Sequence, residues 1–237
     1  MLHQSAPAAA LRAPSPGYQV KLETVTGSGA DLTLRSLLDR VQFHDPEGDA
    51  ERAGIPPASW PLFGLLWPSA QVLAGVMAGF EIEGKRMLEL GCGLALASLV
   101  VHRRGGDITA TDCHPLAAEF LAHNLKLNQL PAMNYMHAHW SEPNPLLGRF
   151  DVIIGSDVLY DRDQPHALSR FIERHAQPQV EVLIVDPSRG NQNSFSRMMT
   201  GLGFSHQARQ VRCLPDGVAF KGQLHRYGRT ATAAPRS

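Results

Sequence analysis

The chain is poor in cysteine, in net charge and in long apolar runs. Its three cysteines, Cys92, Cys113 and Cys213, are too scattered for a disulfide framework or a zinc site. Their scarcity, and the lack of a recognisable secretory leader, point to a reducing cytoplasm. Lysine plus arginine and aspartate plus glutamate both number 22, so no global field draws the protein to nucleic acid or to a membrane surface. No apolar run reaches the roughly 18 residues that a membrane-crossing helix needs. No internal repeat is visible. The histidines number eleven, but His114, His123, His137 and His139 follow no ligand spacing, so no metal is expected. At 237 residues the chain fits one domain with an extension, expected to be monomeric.

What is present is an alternation of patterns. Residues 1–17 are rich in alanine and proline and read as a flexible tail, as do residues 229–237. "YQVKLETV" alternates like a strand, "ADLTLRSLLDRVQF" reads as a strand or short helix, and "HDPEGDAERAGIPPAS" reads as a loop. A helix is expected from about Ser69, with Pro68 at its start. After Gly84, short apolar strands alternate with amphipathic helices: "RMLEL", "DITATD", "MNYMHAHW", "FDVIIGSDVLY" and "VEVLIVD" are the strands. "HQARQVRCL" and "VAFKGQLHRY", joined by Pro215-Asp216-Gly217, read as a closing hairpin. Such alternation predicts a mostly parallel α/β sheet with right-handed crossovers. The expected division is an extension over residues 18–83 and a core over residues 84–228.

In an open α/β sheet, ligands sit beyond the carboxyl ends of the strands, where strand order reverses. "LELGCGLALA" places Gly91 and Gly93 at that point, after the first strand of the alternating unit. An ordinary strand-to-helix turn explains two glycines about as well as a ligand does. Asp112 shifts the balance: it ends the next strand, where an acid can accept bonds from two ribose hydroxyls, although it can also cap the helix beginning near Pro115. The dinucleotide fingerprint G-x-G-x-x-G fails, because Leu96 stands where its third glycine belongs. Glu89 would also repel a pyrophosphate. A carboxylate there suits a cationic nucleoside such as S-adenosylmethionine, which has a sulfonium, an amino group and no phosphate.

"LELGCG", with "TD" ending the next strand, resembles motif I and the acidic motif of class I (seven-β-strand) methyltransferases. "LFGLLWPSA" upstream, "HW" after the third strand and "GSDVLYD" at the fourth resemble the methyltransferase-16 group of protein lysine methyltransferases. The resemblance implies a Rossmann-like seven-stranded sheet with a terminal antiparallel hairpin and helices on both faces. It implies methyl transfer from S-adenosylmethionine to an amine, foremost a protein lysine. It places Glu89, Gly91 and Gly93 around the methionine moiety and ribose, Asp112 on the ribose hydroxyls, Trp140 beside the adenine and Trp67 in the pocket wall. Cys92, Cys113, His139 and Ser156 adjoin these positions. Asp157 and Tyr160 match the D-x-x-Y motif that faces the methyl group and the acceptor amine. Three departures stand out: Ala95 replaces the third glycine of motif I, His139 precedes Trp140 where the group often has Asp, and "DPSRG" (residues 186–190) has no assigned role.

Plainer readings exist for the same residues. Trp67 and Trp140 carry enough area to be core residues, Tyr160 can bury its ring, and Asp157 can cap a turn. A small-molecule N-methyltransferase or a non-catalytic binding module on the same fold are the alternatives for function.

Overall fold

A computed structural model describes residues 18–230, so the proposed tail over residues 1–17, and all but the first two residues of the one over 229–237, lie outside the described residues. The chain runs β1 (Val20–Val25), β2 (Leu32–Leu37), α1 (Asp49–Arg52), a 3-10 stretch (Pro57–Gly64), α2 (Pro68–Ala78), β3 (Arg86–Leu90), α3 (Leu96–Arg103), β4 (Asp107–Asp112) and α4 (Ala117–Leu127). It continues with β5 (Asn134–His137), β6 (Phe150–Ser156), α5 (Gln164–His175), β7 (Ala176–Asp186), α6 (Gln192–Gly201), β8 (Ser205–Cys213) and β9 (Ala219–Arg229). Arg229, assigned from the sequence to the tail, closes β9 opposite Val180.

Seven strands form one sheet in the order β5-β4-β3-β6-β7-β9-β8. Five are parallel, and the β8–β9 hairpin joins antiparallel through β9 against β7. Strand order reverses at β3, which has β4 on one side and β6 on the other. The period-2 rule sorts the core into two layers. Val152, Ile154, Leu183 and Val185 face the layer of α2, α3 and α4, whereas Ile153, Val182 and Ile184 face α5 and α6. Both faces are covered, which is why these strands read as near-continuous apolar runs.

The N-terminal residues are tied to this sheet by helix α2 and by an unusual edge contact. Val72, Leu73, Ala74 and Met77 of α2 are buried in the same cluster as Leu99 and Val100 of α3. The β1–β2 hairpin lies against α4, where Asn124 and Asn128 sit one helical turn apart. Asn128 accepts from the Thr33 N–H (2.9 Å) and donates to its carbonyl (2.7 Å), and Asn124 accepts from the Arg35 N–H (2.7 Å). Two side-chain amides therefore satisfy strand backbone that would otherwise need a third strand.

Two expectations need correction. The segment expected to be a loop contains α1 and the start of the 3-10 stretch, because Pro56 and Pro57 begin the latter instead of breaking it, and Pro61 is accommodated within it. Pro57–Ala78 is also long and apolar enough, by length and composition, to cross a membrane, at a mean hydropathy of 1.4. Its backbone is extended at Leu65 and Trp67, however, which divides it into two short pieces, and the second packs into the core.

Candidate active site

The carboxyl ends of β3, β4, β6 and β7 converge at the reversal point. Beyond β3 the backbone is left-handed at Gly91 (φ 55°), Gly93 (φ 52°) and Ala95 (φ 58°). The space decides the first two. A Cβ on Gly91 would stand 3.1 Å from Val158 Cγ1 and 3.3 Å from Trp140 Cζ2, and one on Gly93 would stand 2.7 Å from the Phe63 carbonyl oxygen. The 3-10 stretch thus lies directly on the turn. Ala95 takes its left-handed conformation as the N-cap of α3 and is fully buried, so a methyl is accommodated there at some backbone strain.

Two buried acids flank the turn. Glu89 Oε2 accepts from the Ser98 backbone N–H at 2.9 Å and from the Ser98 hydroxyl, so it caps the start of α3. Burial pushes its carboxyl up to about 7, against the lowering effect of those bonds. Asp112 accepts from the Gly93 N–H through Oδ2 (2.8 Å) and from the His114 N–H through Oδ1 (2.8 Å), and burial raises its carboxyl too. Neither bond reaches the start of α4, which has no side-chain cap, so the capping reading of Asp112 is not realised; its carboxylate braces the glycine turn instead. The Cys113 N–H also lies against the carboxylate, which leaves a lone pair for a ligand hydroxyl.

Aromatic rings line the remaining walls. Trp140 packs beside Gly91, and its carbonyl accepts from Arg174 at 2.9 Å. Phe63 stacks on His114 with ring centroids 3.7 Å apart. His114 is buried, and its Nδ1 accepts the Leu116 N–H at 3.2 Å, so its Nε2 carries the proton. That Nε2 has no hydrogen-bond partner among the described residues, and burial lowers the ring to about 4. His139 pairs with the Ser141 hydroxyl at 2.6 Å. Burial pushes the Cys92 thiol well above its ordinary value and the Cys113 thiol to about 12, so neither is a ready nucleophile.

The fourth wall comes from β6 and β7. Ser156 ends β6, and Asp157 follows at φ 55° with its N–H on the Val185 carbonyl (2.9 Å). The Asp157 carboxylate receives a two-pronged bond from Arg189, Nε to Oδ1 at 2.6 Å and Nη2 to Oδ2 at 2.8 Å. The Arg189 guanidinium also lies 5.7 Å from the centroid of the Trp67 ring, whose indole N–H is held by the Leu62 carbonyl at 2.8 Å. Tyr160 stands at the rim with 49% of its surface exposed, which excludes the core reading for it. Asp186 turns back on the "DPSRG" loop and accepts the Ser188 and Arg189 N–H groups at 2.6 and 3.2 Å.

The structure thus brings Glu89, Gly91, Gly93, Asp112 and Trp140 around one turn, and Asp157 within reach of Trp67 through Arg189. Sequence reasoning missed Phe63, His114 and Arg189. The "DPSRG" segment was noticed, but nothing local in it announces a partner 32 positions away.

Comparison with known proteins places this arrangement. The sequence profile of a family described as lysine methyltransferase matches residues 63–201, more than half of the chain. An electron transfer flavoprotein beta subunit lysine methyltransferase from Mus musculus is 30% identical over 172 residues, covering 70% of this chain and 65% of that protein. A calmodulin-lysine N-methyltransferase from Arabidopsis thaliana is 27% identical over 153 residues, covering 59% of this chain and 50% of that protein. The chain spans just under two thirds, or less, of these curated relatives. A crystal structure of a magnesium protoporphyrin IX methyltransferase from Synechocystis PCC 6803 with bound SAM superposes with a TM-score of 0.55 at 15% identity, covering 69% of this chain and 80% of that one. That likeness is one of fold. With the matched profile running from the 3-10 stretch over the glycine turn through the end of α6, the chain belongs to the lysine methyltransferase family.

Proposed function

We propose that this protein transfers methyl from S-adenosylmethionine to the side-chain amine of lysine in a protein acceptor. The observation that carries the reading is the pair of buried carboxyls, Glu89 and Asp112, on adjacent strand ends around two left-handed glycines, in a chain of the lysine methyltransferase family. The residues fit the cofactor. Glu89 is a carboxyl that titrates near neutrality and gains from a neighbouring cation, which the amino group and the sulfonium supply. Asp112 offers a lone pair to a ribose hydroxyl. Gly91 lets the indole of Trp140 pack directly on the turn, where a Cβ would press on its ring. Cys92, Cys113, His139 and Ser156 complete the neighbourhood at the same strand ends.

Bound S-adenosylmethionine supplies an electrophilic methyl on a positively charged sulfur. The acceptor nitrogen must meet that carbon as a free amine, its ammonium proton already shed, so that the new N–C bond forms as the S–C bond breaks, leaving S-adenosylhomocysteine and a methylated ammonium. A lysine in water holds its proton up to about pH 10.4, and removal from water lowers that threshold. Asp157 orients the amine and Tyr160 aligns its lone pair, so alignment supplies most of the rate. Exposure of Tyr160 and Arg189 at the rim favours an acceptor presented on a macromolecule over an enclosed small molecule. The balanced charge favours an acceptor other than nucleic acid.

Incubation with methyl-labelled S-adenosylmethionine and a cell lysate tests the reading. Label is expected in protein. Label confined to small metabolites would select the small-molecule alternative, and binding of S-adenosylhomocysteine without transfer would select the non-catalytic one. Asp112→Ala is expected to weaken S-adenosylhomocysteine binding by about 1.5–3 kcal/mol, the scale of hydrogen bonds to a charged group. Isothermal titration measures it, and an unchanged affinity would leave Asp112 only its bonds to Gly93 and His114.

A further inference from the structure

One side chain joins the acceptor-side acid to the N-terminal wall. The Arg189 guanidinium occupies both oxygens of Asp157 and lies over Trp67. Its own backbone is presented by Asp186, which holds the N–H groups of Ser188 and Arg189 while Ser188 sits at φ 65°. Asp157 is equally constrained, at φ 55° with its N–H on Val185. The two partners differ in exposure, however: the Asp157 side chain is 10% exposed and that of Arg189 is 42% exposed. A fork of two parallel N–H bonds fixes the plane of a carboxylate as well as its place, which a single point charge does not.

We propose that Arg189 is a positioning residue for methyl transfer, holding the Asp157 carboxylate in a fixed plane beside the acceptor nitrogen. The proposal rests on the lysine-transfer reading above. Arg189 takes one lone pair from each Asp157 oxygen, and the second remains to accept an N–H of the amine. The fork therefore orients without blocking. The lysine ammonium sheds its proton before attack, and the open rim lets water take it. Because Arg189 is well exposed, its ion pair contributes little to folding, and its loss should be read in rate.

The test uses the full chain as wild type, Arg189→Ala and Arg189→Lys. Transfer of label from methyl-labelled S-adenosylmethionine to lysate protein gives the rate, and titration with S-adenosylhomocysteine reports the cofactor site. Both variants are expected to lose roughly 10²-fold in rate, the cost of about an ångström of misplacement, with cofactor affinity unchanged. Guanidinium chloride, far below denaturing concentrations, should restore part of the rate to Arg189→Ala, and ammonium chloride at equal ionic strength should restore none. Full activity in either variant overturns the proposal, as does rescue by ammonium. Rate lost together with cofactor affinity, or insolubility of both variants, makes Arg189 part of the scaffold and overturns it too. Absence of labelled protein with the wild type itself is a different result: it removes the lysine-transfer reading, and this role with it.

Discussion

Starting the chain at Gly84 is expected to yield no soluble protein able to bind S-adenosylhomocysteine. The segment removed is not a lid added to a finished domain. Leu32, Leu34 and Leu37 of β2, with Leu73 and Met77 of α2, are at most 1% exposed and share a cluster with Leu99, Val100 and Val152. Burying one such side chain stabilises by about 1.5–3 kcal/mol, and a whole domain has a net stability of only about 5–15 kcal/mol. Losing five of them at once removes the margin. The cut also strands Asn124 and Asn128, whose amides hold the backbone of Thr33 and Arg35. It removes Phe63 from the ring of His114 and from the backbone of Gly93, so the glycine turn loses its cover. Size-exclusion chromatography and titration with S-adenosylhomocysteine, against the full chain, check this. A soluble fragment with full-chain affinity would show that the extension only decorates the site.

The strands and helices after Gly84 were legible because burial writes itself into local pattern. Buried parallel strands such as β6 are apolar runs, and Pro215-Asp216-Gly217 marks the turn of the last hairpin. β7 proved longer than expected, because Ala176 pairs with Phe150 across an irregularity in register and leaves no loop after α5. Proline was a poor guide before Gly64, since it stops an α-helix but sits comfortably in a 3-10 turn. Contacts between distant segments left no local trace. Asn124 and Asn128 share a helical face, a signal that two polar side chains need a partner there, but not that the partner is β2. Glu89 and Asp112 were readable as an acidic pair around glycines. Their bonds to Ser98, Gly93 and His114 were not, because they depend on how the turn closes. Arg189 is the extreme case: its role comes from the meeting of two strand ends, which only the fold supplies.

Asp157→Asn and Tyr160→Phe are expected to cut turnover by roughly 10²–10⁴ while leaving S-adenosylhomocysteine affinity close to wild type. The two substitutions suit their positions. Asparagine tolerates the left-handed backbone that Asp157 adopts at φ 55°, so the turn should survive. What changes is the side chain: its amide places an NH2 where Arg189 also donates, one of the two prongs is lost, and no anion remains beside the acceptor. Tyr160 is half exposed, so phenylalanine keeps the ring and deletes only the hydroxyl. Neither change touches the turn that Glu89, Gly93 and Asp112 build, which is why binding and turnover should part company. Single-turnover transfer measured beside titration separates the two quantities, and equal losses in both would mean that these residues support the cofactor site instead of the acceptor. Digestion of the labelled protein and mass spectrometry then locate the methyl. On lysine nitrogen it fits an amine aligned between Asp157 and Tyr160. On a carboxylate, arginine or histidine it would mean that the same strand ends align a different nucleophile, and the argument from lysine deprotonation would have to be given up while methyl transfer stood.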